Sequence, residues 1–366
     1  MPESRFANAL RRATHPLYRR LETAVHPLRY LFLEITQRCN LACLHCGSDC
    51  GRTREESGAL TTAEWTAFAD TLAARFPKRR DLMCVVTGGE PLCHPDLPAI
   101  LGRIAGHGFP IGLVTNGYAL SKRRAGRLRE LGVSSLTVSL DGMRDSHDWL
   151  RGVPGSFDRA VEGLGHAAEL PFRLFDVVTC ANPRNIGELD AVLDLLRRKG
   201  VRRWRIFSIF PKGRAAGNPD VLLSGAQFRA LLDWIRSRRP SLAAEGFDLD
   251  FSCEGYFPAD VDRAVRSEPY FCRAGICIAS VLHDGAIAAC PNISRSLVQG
   301  NVRTDDFATV WEERFGAYRD RAWMRRGPCV GCKEWGRCLG NSLHLWDVAA
   351  NETGLCTYSL VRDSEP

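Results

Sequence analysis

Between residues 30 and 210, six apolar strand-like runs alternate with helical stretches, and no other feature limits the possible folds so strongly. The runs are Tyr30–Thr36, Met83–Thr87, Ile111–Thr115, Ser135–Leu140, Leu174–Thr179 and Trp204–Phe210. A capping box, Thr61-Thr-Ala-Glu64, opens a helix over Trp65–Phe76. Helical patterns also cover Lys122–Leu131, Phe157–Glu169 and Ile186–Lys199, the last stopped by Gly200. Strand–helix repetition builds a parallel sheet, and right-handed crossovers curl it toward a barrel. Six units fall short of the eight of a closed barrel. The expected class is therefore α/β, an open partial (β/α)6 barrel.

After Pro211-Lys-Gly-Arg214 the pattern changes. Residues 220–240 read as one more helix, and from Cys272 onward the chain is Gly-punctuated and cysteine-rich. That last segment has too little periodic apolar pattern for an ordinary core, so bound metal is expected to organise it. The expected division is a basic N-terminal segment over 1–29, a barrel over 30–245, and a linker with a small cysteine-rich module over 246–366.

Cys39, Cys43 and Cys46 follow the first strand on one short loop. Three thiolates so placed can hold three irons of a [4Fe–4S] cube and leave the fourth iron open to a small molecule. A zinc site completed by Cys50 also suits the spacing, because structural zinc takes four closed ligands. The chain has 15 cysteines. The N-terminus has an Arg-rich stretch and no apolar signal core, and no run of about 18 apolar residues occurs. A cytoplasmic setting with reduced thiols is therefore expected, and metal binding is favoured over disulfides. The net charge of +7 comes mostly from arginine spread over solvated faces. No basic groove interleaved with aromatics appears, so neither nucleic acid nor membrane is an expected partner.

The arrangement Cys39-Asn-Leu-Ala-Cys43-Leu-His-Cys46 resembles the signature of the radical S-adenosylmethionine (SAM) superfamily. The resemblance implies an open barrel and a SAM-binding [4Fe–4S] cluster on Cys39, Cys43 and Cys46. It also implies reductive cleavage of SAM to a 5′-deoxyadenosyl radical that abstracts hydrogen from a substrate C–H. Four strand-end features fit the SAM pocket of that family. Gly88-Gly89-Glu90-Pro91 follows the second strand and, in the family, holds the amino group of SAM, with Glu90 accepting from it. Asn116 follows the third strand, and Ser139 and Asp141 end the fourth. Arg151 is the candidate clamp on the methionine carboxylate. His45, where the family usually carries an aromatic ring, reads as loop packing without a proton-transfer role. Cys84 reads as a small buried hydrophobe. Cys180, at the end of strand five, is a candidate hydrogen donor to a substrate radical.

The run Cys272-x12-Gly285-x4-Cys290, then Cys329-x2-Cys332-x5-Cys338 and Cys356, resembles the SPASM extension of that superfamily. The resemblance implies one or two auxiliary [4Fe–4S] clusters. Cys329, Cys332, Cys338 and Cys356 would ligate the outer cluster completely. Where the family usually has a further cysteine, this chain has Ser342. Cys272, Cys277 and Cys290 are the expected inner ligands, with Cys253 a candidate fourth. Most such enzymes modify ribosomally made peptides by oxidation, crosslinking or epimerisation. The alternative is dehydrogenation, epimerisation or dehydration of a small molecule such as a sugar or cyclitol. Some 29 residues precede strand one, few for a separate leader-binding domain. Pro291 stands where sulfatase-maturating members place an Asp base, which disfavours formylglycine formation. A flavodoxin- or ferredoxin-type electron donor is the implied partner.

Overall fold

The computed structural model describes residues 5–52, 57–252 and 255–362, with the side chains of residues 5–12 left aside. The ten strands of its main sheet are β1 (Tyr30–Glu34), β2 (Met83–Thr87), β3 (Ile111–Thr115), β4 (Val133–Ser139), β5 (Leu174–Ala181), β6 (Arg203–Ser208), β7 (Asp248–Phe251), β8 (Ile278–Val281), β9 (Ala286–Ala288) and β10 (Gly300–Asn301). They form one sheet in the order β10-β9-β8-β1-β2-β3-β4-β5-β6-β7. Every neighbouring pair from β8 through β1 to β7 is parallel. The six expected strands thus occupy the middle of the sheet, as an open (β/α)6 barrel requires. The cysteine-rich C-terminal module begins with the hairpin of β8 and β9, which extends the barrel sheet past β1. At the other edge the sheet runs on beyond residue 245, because β7 pairs with β6.

Alternate residues of each strand face opposite ways. Leu31, Leu33, Val86, Leu113, Leu136, Val138, Val177, Trp204 and Ile206 join the core beneath the helices. Cys84 is fully buried in that core, pairing with Leu31. The other face of β4, β5 and β6 is polar. Thr137 donates to Asp176 at 2.6 Å, and Arg205 donates to both Asp176 and Thr137. This set sits inside the barrel, where an apolar filling would leave no polar lining for a substrate.

The helices are α1 (Arg5–Val25), α2 (Thr62–Arg75), α3 (Leu97–Gly106), α4 (Lys122–Glu130), α5 (Arg144–Arg151), α6 (Ser156–Ala168), α7 (Leu189–Arg198), α8 (Gly225–Ala244) and α9 (Ala259–Val265). The capping box at Thr61 and Glu64 forms, and Glu64 is also held by Arg303 from the C-terminal module. Of the helices named here, four were not expected from the pattern: α1, α3, α5 and α9. Among the described residues, none of the helices is long and apolar enough to cross a membrane.

The basic N-terminal segment becomes α1, and it docks against the C-terminal module. Arg19 donates to the carbonyls of Gly336 and Arg337 at 2.6 and 2.7 Å. Buried Glu22 accepts from Arg273 at 2.8 Å and from the Tyr18 hydroxyl at 2.9 Å. Glu22→Ala would leave Arg273 only its looser pair with Glu268 at 3.7 Å. Because that guanidinium is 24% exposed, a loss of about 2 kcal/mol is expected, below the cost for a fully buried pair. Thermal unfolding would show it as a lower midpoint, and trypsin would cut faster after Arg19 and Arg20.

Candidate functional site

The cysteine loop after β1 is held from three sides. The last turn of α5 leaves carbonyls without intrahelical partners, and the loop supplies their donors. Ala42 N bonds to Arg151 O at 3.0 Å, and Leu44 N bonds to Leu150 O at 2.8 Å. Gly152 follows in the left-handed region at φ 67°, and a Cβ there would lie 2.5 Å from Ala42 O. The loop closes on itself through Cys39 N to Gly51 O and Gly51 N to Gln37 O. Its carbonyls are taken up by Arg214, which follows β6: Arg214 N bonds to Cys46 O, Nε to Cys43 O and Nη1 to Cys50 O. Gly213 has φ 57°, and a Cβ there would come within 2.3 Å of Cys46 O.

This frame gathers three reduced thiols, each with an N–H donor at its sulfur. Asn116 Nδ2 lies 3.8 Å from Cys39 Sγ, Arg151 Nη1 3.6 Å from Cys43 Sγ, and Cys50 N 3.3 Å from Cys46 Sγ. Donors at sulfur suit thiolates and help set the potential of an iron–sulfur cluster. Burial pushes the Cys39 thiol up to about 12 and raises Cys43 as well. Cys46 is lowered, chiefly because the Cys50 thiol donates to it. The Cys50 thiol also lies 3.8 Å from Ser48 O and is itself raised, chiefly through its contact with Cys46. Loading iron onto these buried thiols must release protons.

The strand-end residues gather at the same place, in roles partly different from those expected. Gly89 N bonds to Thr36 O and Glu90 N to Arg38 O. A Cβ on Gly89 would meet Arg38 O at 2.4 Å, so the backbone approach itself requires glycine. Glu90, the expected acceptor for an ammonium, is fully buried and accepts from Asn116 N at 2.7 Å, Thr115 Oγ1 at 2.8 Å and Leu92 N at 3.1 Å. These bonds tie the 88–91 loop to the 115–116 turn. Pro91 opens a short turn behind it. Asp141 was expected to line the SAM pocket. It is buried against Arg151, Nε to Oδ2 at 2.5 Å, and accepts from Cys180 N at 2.7 Å. Burial would raise Asp141, but the guanidinium outweighs it and holds the carboxyl low. Arg151 keeps its charge for the same reason, with one edge on Asp141 and one nitrogen at Cys43. Asn116 joins Asn40 at 2.8 Å. Ser139 is buried at the end of β4. His45 is half-buried, and desolvation lowers its imidazole to about 4, which keeps the ring neutral. Cys180 sits half-buried at the end of β5, paired in register with Phe207 and close enough to Arg151 to act on its charge.

In the C-terminal module, Cys329, Cys332, Cys338 and Cys356 lie close enough to act on one another's ionisation. Cys272 and Cys290 are likewise coupled. Cys277 is not part of that pair. It is fully buried with its thiol against Glu22, which takes its hydrogen bond, and its carbonyl accepts from Arg29 N and Tyr30 N. That contact is what the expected inner ligand Cys277 makes in this structure. Ser342 is fully buried, accepting from Gly255 N at 3.3 Å and lying 3.0 Å from the Tyr270 hydroxyl. Cys253 lies outside the described residues. Sequence reasoning missed Arg214 and His147, whose Nδ1 accepts from Asp141 N at 3.0 Å. The clue to Arg214 was its place just after a strand end.

Family comparison accords with this geometry. The radical SAM superfamily model matches residues 33–196, and the iron–sulfur cluster-binding SPASM model matches residues 272–334. The mycofactocin maturase of Mycobacterium ulcerans is 30% identical over 85% of this chain and 81% of its own. The chain therefore belongs to the radical SAM superfamily and carries a SPASM extension. The AdoMet-dependent heme synthase of Nitratidesulfovibrio vulgaris is similar at 26% identity over 93% of this chain and 95% of that protein. Streptococcus suis SuiB bound to its precursor peptide SuiA shares the fold, with a TM-score of 0.67 at 15% identity over 98% of this chain and 82% of that one.

Two variants test whether Cys277, held against Glu22, serves as a ligand. Cys277→Ala is expected to leave bound iron unchanged, while Cys272→Ala lowers it by one cluster; iron and sulfide analysis of reconstituted protein reads the difference.

Proposed function

We propose that this chain is a radical SAM enzyme that modifies a ribosomally made peptide by oxidation, crosslinking or epimerisation. The observation that carries the radical chemistry is the 39–50 loop, whose three thiols each have a donor at sulfur and whose backbone is fixed by α5 and Arg214. Cys39, Cys43 and Cys46 would hold the SAM-binding cluster. Bound together, the cluster and SAM supply the 5′-deoxyadenosyl radical that takes hydrogen from the substrate. The backbone of Gly88 and Gly89, with Pro91, Asn116, Ser139 and Arg151, would border SAM. Glu90 and Asp141 would brace that border from behind. Cys329, Cys332, Cys338 and Cys356 would hold the outer auxiliary cluster. Cys272 and Cys290, with Cys253, would hold the inner one. In an epimerising reaction Cys180 would return the hydrogen.

The likeness to a peptide maturase at 30% identity supports the peptide reading. The near full-length likeness to heme synthases supports a second reading, a small-molecule substrate of the tetrapyrrole class. A flavodoxin or ferredoxin in the cytoplasm would supply electrons. Anaerobically reconstituted protein with dithionite is expected to convert SAM to 5′-deoxyadenosine and methionine. The Cys39/Cys43/Cys46→Ala triple variant should fall to background. Intact SAM with zinc in the loop of the wild type would refute the radical reading. Co-expression with short peptides encoded beside the gene, followed by mass spectrometry, distinguishes a modified peptide from turnover of iron-coproporphyrin III.

A further inference from the structure

The two faces of the barrel sheet are packed to different degrees. On β5 and β6 the helix-covered side chains Val177, Thr179, Trp204 and Ile206 are buried, whereas the inward-facing Val178, Cys180, Arg205 and Phe207 are half-buried. Across the barrel, inward-facing Phe32 and Val114 are half-buried in the same way. Side chains that filled the barrel would be buried on both faces. The lumen is therefore not packed out by its own residues. Phe32, Val85 and Val114 give it an apolar wall, and the polar set on β4, β5 and β6 faces that wall.

Within the polar set one cation is fixed in place with donors to spare. Arg205 stands two residues deeper than Phe207, which pairs in register with Cys180 at the barrel mouth. Buried Asp176 accepts from Arg205 Nε, and Thr137 accepts from Nη2 at 3.3 Å while donating to the same carboxylate at 2.6 Å. The Arg205 Cζ also lies 5.7 Å from the centroid of the Phe207 ring. These contacts set the plane of the guanidinium. A guanidinium has five N–H donors, and the two bonds leave three of them over. Among the described residues Nη1 makes no hydrogen bond. The side chain is 29% exposed, although Asp176 and Thr137 are both buried. An ion pair that served only as filling would have no open side. Here the outer edge, Nη1 with Nη2, is left toward the lumen, and that edge can grip a carboxylate with two parallel bonds.

We propose that Arg205 determines specificity at the barrel floor by holding a substrate carboxylate, with the apolar stem of that group lying along Phe32, Val85 and Val114. Asp176 and Thr137 are positioning residues that aim the guanidinium and do not touch the substrate. The carboxylate then sits two residues, roughly 7 Å, below the row of Cys180. The C–H groups offered at the mouth are those further along the stem. This narrows the substrate class to molecules with a carboxylate at the end of an apolar stem. It rests on the radical SAM reading for its meaning but not for its test.

The probe is hexanoate, with hexanamide as its uncharged isostere, titrated into reconstituted full-length protein without SAM and followed by saturation-transfer NMR. Arg205→Met should weaken hexanoate binding about tenfold or more, the order expected for a hydrogen bond between charged groups. Arg205→Lys keeps the charge and loses the planar fork, so it should fall between the two. Hexanamide should bind wild type and Arg205→Met alike, and both more weakly than hexanoate binds wild type. Equal hexanoate binding by wild type and Arg205→Met overturns the proposal, since Arg151 at the mouth would then hold the acid. Hexanamide binding wild type as tightly as hexanoate overturns it too. Should Arg205→Met fail to fold around an unpaired Asp176, Asp176→Asn is compared with Asp176→Asn/Arg205→Met, where no carboxylate is stranded. A tenfold loss in the double variant supports the subsite, and equal binding by these two overturns it. The readout needs neither bound SAM nor turnover. Wild type that binds hexanoate yet leaves SAM intact under dithionite would therefore refute the radical reading alone.

Discussion

The end of one short helix and one arginine hold the site together. The last carbonyls of α5 have no partners within the helix, and the backbone of Ala42 and Leu44 supplies them. Arg214 then caps three carbonyls on the far side of the same loop. A loop of this length would otherwise sample many conformations, since each residue ordered costs about 1–2 kcal/mol of backbone entropy. Here that cost is offset by hydrogen bonds that the helix end and the loop both need. The thiols are thus positioned by backbone bonding, before any iron arrives.

A second layer of charge lies behind the loop. Arg151 bridges Asp141 and Cys43, and Asp141 in turn holds Cys180 N. A positive group beside a sulfur favours the thiolate, while the buried carboxylate keeps that positive group fixed. Glu90 performs a parallel service for the 115–116 turn. Both acids looked like ligand contacts in the sequence because they stand at strand ends. In the folded chain both also brace the backbone behind the loop, through the bonds of Glu90 to the 115–116 turn and of Asp141 to Arg151 and Cys180 N.

Much of this was legible in advance. The six central strands were read from apolar runs, and the triad from spacing alone. The helix of α2 was marked by its capping box. The misses have physical causes. In α3, Pro98, Gly102 and Gly106 dilute the helical signal, and its burial on the sheet overrides that weak propensity. In α5, charged and polar residues dominate, so the helix is defined by Leu150, His147 and the loop that seals its end. The strand β7 is only four residues long and depends on pairing with β6, which no local pattern reveals. The contact between Cys277 and Glu22 was not legible, because spacing reports proximity along the chain and these two are some 250 positions apart. The module's outer four cysteines carried a tighter pattern, and they do lie together.

The docking of α1 has a bearing on how this molecule is born. Arg19 and Glu22 are made long before the groups that hold them, Arg273 and the carbonyls of Gly336 and Arg337. The seating of this helix is therefore a late act of biogenesis, because it must wait until the chain through Arg337 has been made.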